Sequence, residues 1–147
     1  MTHHAAPLEP DPVVDNPAPA PSRPAPIELA AAILIVGGVL GLFGAVSGIA
    51  SLPAGSEPFF LLTVALSVGS IVAGVLVRFG RLWVVAVNYV AVLGFLDLLA
   101  AGASPLGLML GLADIVVVVI LFAHKAWFDA LGRWRSARRA APRRFSP

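Results

Sequence analysis

Residues Leu106–Ala123 read LGLMLGLADIVVVVILFA, eighteen positions with a single charged residue, Asp114. A helix of that length, at ~1.5 Å rise per residue, crosses a hydrocarbon core of ~30 Å. Alone, the run would also suit a buried core helix. Three further apolar runs remove that choice: Leu29–Leu52, Phe59–Val77 and Leu82–Ala101. The chain has 147 residues, 59% hydrophobic and 12% charged, where a soluble domain carries about a quarter charged residues. Four such runs leave too little polar sequence to coat a soluble fold, so they are read as four transmembrane helices.

The flanks of these runs set their ends. Eight of the thirteen prolines fall in residues 1–26, which prevents helix and leaves little to bury, so this segment is expected to be a disordered Pro-rich tail. The first span is expected to begin after Pro26, with Glu28 suiting the positive end of the helix dipole. Ser56 and Pro58 open the second span as cap and first-turn proline, and Ser104 and Pro105 repeat the device for the fourth. The start of the chain lacks the basic and apolar regions of a secretory signal peptide, so the first span is expected to act as its own insertion signal.

Orientation follows from the basic residues. Arg78 and Arg81 flank the second connector, and Lys125 with six arginines follows the fourth run, while the other two connectors hold no Lys or Arg. The positive-inside rule then places the second turn and both termini in the cytoplasm, with the chain in the inner membrane. Nine arginines to one lysine, with abundant Ala, Gly, Val and Pro, point to a GC-rich bacterial genome.

Small residues mark packing faces. Gly37, Gly41, Gly44 and Gly48 recur at spacings of 4, 3 and 4, Ser67, Ser70 and Gly74 at 3 and 4, and Gly107, Gly111 and Asp114 at 4 and 3. Each series lies along one helix stripe where a second backbone can approach. The seams are expected to face the bundle interior, although the same pattern would serve a homo-oligomer.

The polar residues inside the runs are the candidate site. Counting ~1.5 Å per residue from the cytoplasmic edge puts Asn88 at roughly 10 Å, Ser67 and Ser70 at 12–16 Å and Asp114 at about 16 Å. Asp97, Ser47 and Thr63 fall at about 22–25 Å. Two polar layers are therefore expected, one around Asp114 and one around Asp97. A carboxylate near the midplane costs about 2.5–3.5 kcal/mol on the insertion scale. No Lys, Arg or His lies within a run to pair with it. Asp114 is then either neutral and donating to Asn88 or a serine, or charged and facing water or a cation. Asn88 and Asp97, nine residues apart, fall on opposite faces of their helix and do not form one site.

After the fourth run, Trp127, Phe128, Leu131 and Trp134 share one helical face. This predicts an amphipathic helix in the membrane interface, its aromatic rings at headgroup depth and Arg133, Arg135, Arg138 and Arg139 available to anionic lipid. No recognised nucleic-acid-binding module accompanies the charge. The chain has no cysteine, and no HExxH, P-loop or GxSxG motif is present. His3 and His4 form only an isolated pair in the tail. No cofactor, metal site or catalytic set is expected.

The segments SPLGLMLGLADIVVVVILFAHKAWF and GRLWVVAVNYV resemble a loose class of small four-span bacterial membrane proteins, in which a basic turn with an aromatic opens span three and span four runs into an aromatic-basic tail. The resemblance covers about residues 28–130 and implies the four-helix fold without an activity. The chain is less similar to the proton-coupled small multidrug transporters, which depend on a membrane-embedded glutamate in span one; here Glu28 stands only at the helix edge.

Together these features predict an all-α membrane protein: an antiparallel four-helix transmembrane bundle over residues 27–124, the tail 1–26, and a basic amphipathic segment 125–147. Its expected role is that of a non-enzymatic accessory or scaffold subunit whose partners are the lipid bilayer, a second copy or a membrane protein. The alternative is a small proton- or cation-coupled transporter or channel acting as an oligomer through Asp114, with Asn88 and Ser67 nearby.

Overall fold

The computed structural model describes residues 18–49, 53, 55–100 and 105–140. The rest of the Pro-rich tail with His3 and His4, the cap at Ser104 and the final arginines lie outside the described residues. All the regular structure described is helical: α1 (Ala25–Gly48), α2 (Glu57–Arg78), α3 (Trp83–Ala100), α4 (Pro105–Ala123) and α5 (Lys125–Ala140). By length and composition α1 and α2 are apolar enough to cross a membrane, and a third such element exists if Gly107–Ala123 and Lys125–Ala140, bent by 55° at His124, count as one. Phe43, Phe59, Phe95 and Phe122 are each more than half exposed. Aromatic side chains in such positions suit an apolar surrounding, not water.

Local chemistry sets the helix ends. α1 begins at Ala25, earlier than expected, because Pro26 sits in the first turn, where its missing N–H costs nothing. Ser56 occupies the N-cap position of α2 but its hydroxyl donates to the Pro53 carbonyl at 2.6 Å and makes no cap bond. The other end of α2 closes in a Schellman motif. Gly80 takes φ +59°, its N–H reaches the Val77 carbonyl at 2.9 Å, and the Arg81 N–H reaches Leu76 at 2.9 Å.

α1 packs along α2 and α3 along α4, and the two pairs meet through α1–α4 and α2–α3. Glu28 in the first turn of α1 pairs with Arg78 at the end of α2 at 3.5 Å, and also with Arg23. Trp83 at the start of α3 donates to the Leu121 carbonyl near the end of α4 at 2.9 Å. The fully buried core, built around Ile27, Leu34, Val77, Val90, Val117 and Leu121, lies toward this end of the helices.

α5 covers that same end. Phe128 and Leu131 are buried. A Cβ on Gly80 would stand 2.5 Å from Leu131 and 3.0 Å from Trp127. Arg135 donates to the carbonyls of Phe79 and Gly80, the latter at 2.8 Å. Part of the expected interfacial face thus packs on the α2–α3 turn, with Trp127 and Trp134 half-buried, and Arg135 holds exposed helix-end carbonyls. Trp134 instead donates to the Ala18 carbonyl at 2.8 Å, and Arg138 stacks over its ring at 4.7 Å.

The close helix contacts also differ from the expected stripe. A Cβ at Gly37, Gly44 or Gly48 would meet nothing within 4 Å. At Gly38 it would lie 2.6 Å from the Ser67 carbonyl, and at Gly74 2.9 Å from the Ala31 carbonyl. The α1–α2 seam therefore runs through Gly38, Gly41 and Gly74. On the other pair, a Cβ at Gly94 would meet Asp114 at 2.9 Å and one at Gly111 would meet Leu98 at 2.8 Å; Gly107 is buried nearby on α4.

Gly38→Ala is expected to destabilise the protein by about 1–3 kcal/mol, the range for overpacking a fixed contact. Gly44→Ala should leave stability unchanged or raised. Unfolding of both variants in mild detergent checks the pair; equal losses would return the seam to the Gly37–Gly48 stripe.

Candidate functional site

Above the apolar core, toward the far end of the helices, lies a cavity of about 210 Å³ walled by all of α1 to α4. Small residues open it: Gly37, Gly38 and Gly41 on α1 face Ser67 and Ser70 on α2. Asp97 from α3 and Asp114 from α4 complete the polar lining, with Thr63. A Cβ at Gly41 would fall 2.5 Å from the Ser67 hydroxyl, so the glycine makes room for that group. Ser70 donates across the α1–α2 seam to the Leu34 carbonyl at 2.8 Å, and Thr63 donates to Phe59 within its own helix at 2.9 Å. Tyr89 donates from α3 to the Leu66 carbonyl of α2, its ring end lying against Gly69.

Asp97 and Asp114 approach each other side chain to side chain. Asp114 is 6% exposed, and its Oδ2 is buried with no hydrogen-bond partner among the described residues. A buried, unsatisfied carboxyl oxygen costs the full desolvation of that atom. Two carboxylates side by side also repel, and at low dielectric that repulsion is strong. One proton or one cation between them removes both penalties. This is the chemistry the arrangement offers: acceptance of a single positive charge by an acid pair, with the hydroxyls of Thr63 and Ser67 lining the same space.

The two expected polar layers thus merge into one site, which gathers Asp114, Ser67, Ser70, Asp97 and Thr63. Asn88 does not belong to it. The Asn88 side chain is exposed beside Val84 and Val85 and donates back to the Val84 carbonyl at 2.7 Å. Ser47, expected near Asp97, is also exposed and bonds its own helix at Phe43, 2.8 Å away. The opposite-face reading of Asn88 and Asp97 agrees with this placement, one outward and one inward. Among the described residues, no three His, Cys, Asp or Glu side chains cluster as a metal-binding group.

No family model, curated protein or solved structure matches the chain. The functional reading therefore rests on the site itself.

Ser70→Ala, which deletes a buried interhelical hydrogen bond, should lower unfolding stability in detergent by about 0.5–1.5 kcal/mol. Asn88→Leu should leave it unchanged or raised, because that side chain contributes only a bond within its own helix. A loss at Asn88 as large as at Ser70 would put the asparagine back in the site.

Proposed function

We propose that the chain is a bacterial inner-membrane protein, an antiparallel four-helix transmembrane bundle with both termini cytoplasmic, and that it is a non-enzymatic carrier or channel for protons or a small cation through Asp97 and Asp114. α3 and α4, at 18 and 19 residues, fall within the roughly 17–25 residues that can span a bilayer. Arg78, Arg81, Lys125 and the α5 arginines gather at one end, as a cytoplasmic face requires. The observation that carries the ion-handling reading is the paired acid cavity with the unpartnered Asp114 Oδ2. Intramembrane acids facing a shared cavity generally mark proton or ion pathways. The apolar core on the α5 side argues that the charge arrives from the opposite, outer side, and passage inward then requires that core to part.

The accessory or scaffold reading draws less support. The aromatic face of α5 that would greet a partner is largely turned onto the protein, and Arg135 is engaged internally.

Proteoliposomes carrying the purified protein and a pH-sensitive dye test the proposal under imposed proton, sodium and potassium gradients. Wild type should conduct at least one of these above empty vesicles. Asp114→Asn should cut that flux tenfold or more, and Asp97→Asn should reduce it, with helical content and unfolding temperature of both close to wild type. No flux from wild type, together with a marked loss of stability in Asp114→Asn, would make the pair a structural polar layer and restore the scaffold reading.

A further inference from the structure

A second concavity lies at the opposite end from the acid cavity, between the α2–α3 turn and α5, with a volume of about 510 Å³. Three guanidinium groups line it: Arg81 from the turn, Arg135 and Arg139 from α5. Leu76, Leu82 and Phe128 form its apolar wall. Burial, then the charges of Arg81 and Arg139, lower the Arg135 pKa below the usual guanidinium value, as expected where cations converge. Two of the Arg135 nitrogens are tied to the carbonyls of Phe79 and Gly80, which fixes the group in place. Among the described residues no carboxylate pairs with Arg81 or Arg139. Asp129 also lines the cleft, but its carboxylate is paired with Lys125 at 2.7 Å.

Convergent cations without an internal counter-ion are the arrangement that binds a phosphate oxygen set, and arginine suits it through its planar fork of donors. The cleft is larger than a bare phosphate needs. Leu82 in its wall is more than half exposed, where an acyl chain would find apolar surface. We infer that this cleft is a binding site for a phosphate ester, the headgroup of an anionic phospholipid, held by Arg81, Arg135 and Arg139 with Leu82 at its apolar lip. The site is separate from the acid cavity and stands whether or not the protein moves an ion.

The full-length protein in mild detergent, titrated with dioctanoyl-phosphatidylglycerol and followed by native mass spectrometry, tests this. Saturable binding is expected, with dioctanoyl-phosphatidylcholine weaker by about tenfold. Arg81→Gln with Arg139→Gln should weaken the anionic lipid by about tenfold or more, at ~1 kcal/mol for each charge near a headgroup. Arg133→Gln with Arg138→Gln removes the same charge outside the cleft and should change binding less than about twofold. If the first pair fails to fold, exposed Arg139→Gln alone should still weaken binding by about fivefold. Equal losses from both pairs, or binding that never saturates, would overturn the site in favour of diffuse tail charge. Inorganic phosphate that displaces the lipid at equal concentration would keep the phosphate chemistry and overturn the lipid as its source.

Discussion

Close backbone approach at glycine is the constraint on which the rest of this structure depends. In a lipid surrounding, apolar side chains gain little by leaving the acyl chains for a protein interior, so helices associate by fit. Gly38 and Gly74 let the backbones of α1 and α2 come together, and Gly94 and Gly111 admit side chains of the facing helix between α3 and α4. Many large side chains are accordingly outside, and the helix seams are lined by Gly, Ala and Ser. Two tight pairs that meet more loosely then leave space between them where their small residues run out of partners. The acid cavity occupies that space.

The molecule is asymmetric along its axis. At the α5 end the interior is filled by Ile27, Leu34, Val77, Val90 and Leu121, each fully buried. Toward the other end the interior becomes polar and partly empty. Under the proposed ion-handling role, a positive charge drawn to Asp97 and Asp114 would meet the apolar core on the α5 side, and conduction would demand a second packing of the Val77–Leu121 core. Packed cores change between discrete arrangements and do not deform continuously, so the energetic burden of any transport cycle would fall on that plug.

The helices were legible because a run of apolar residues is a one-dimensional signal. Helix existence and order follow from it, and proline positions set most starts to within a few residues. Position around the axis was less legible. Glycines at Gly37, Gly41, Gly44 and Gly48 fit a spacing rule, yet of these only Gly41 meets α2, and the closest approach is at Gly38, one residue off the stripe, beside Ser67 and Ile71. The merging of Asp97 with Asp114 was missed for a geometric reason. Counting backbone rise separates them by about 6–9 Å. Side chains, however, tilt toward the start of their own helix. α3 and α4 run in opposite directions, as the Trp83–Leu121 and Leu98–Gly111 contacts require. Asp97 therefore leans toward the α5 end and Asp114 away from it, toward one another. That signal was present in the order of the helices and needed only the tilt to be applied. Asn88 shows the opposite case: a polar residue in an apolar run can satisfy itself on the preceding turn and need no interior at all.

The basic end of the chain carries two duties that composition alone merges into one. Under the proposed topology, Arg133 and Arg138 would act as positive-inside charges from exposed positions. Arg135 does something position-specific. Its donors meet the carbonyls of Phe79 and Gly80, where the end of α2 leaves acceptors unsatisfied and the helix dipole is negative. That contact pins α5 beneath the turn and presses Leu131 and Trp127 onto Gly80, a position that no side chain could share. Once α5 is pinned, Arg139 one turn on is brought to the same cleft as Arg81. A structural bond to backbone thereby assembles a cluster of like charges, whose mutual repulsion an anion at the membrane surface would relieve. The stability of α5 on the bundle and the occupancy of the cleft are then linked, and binding a phosphate there tightens the packed end of the molecule and not the end that holds the acids.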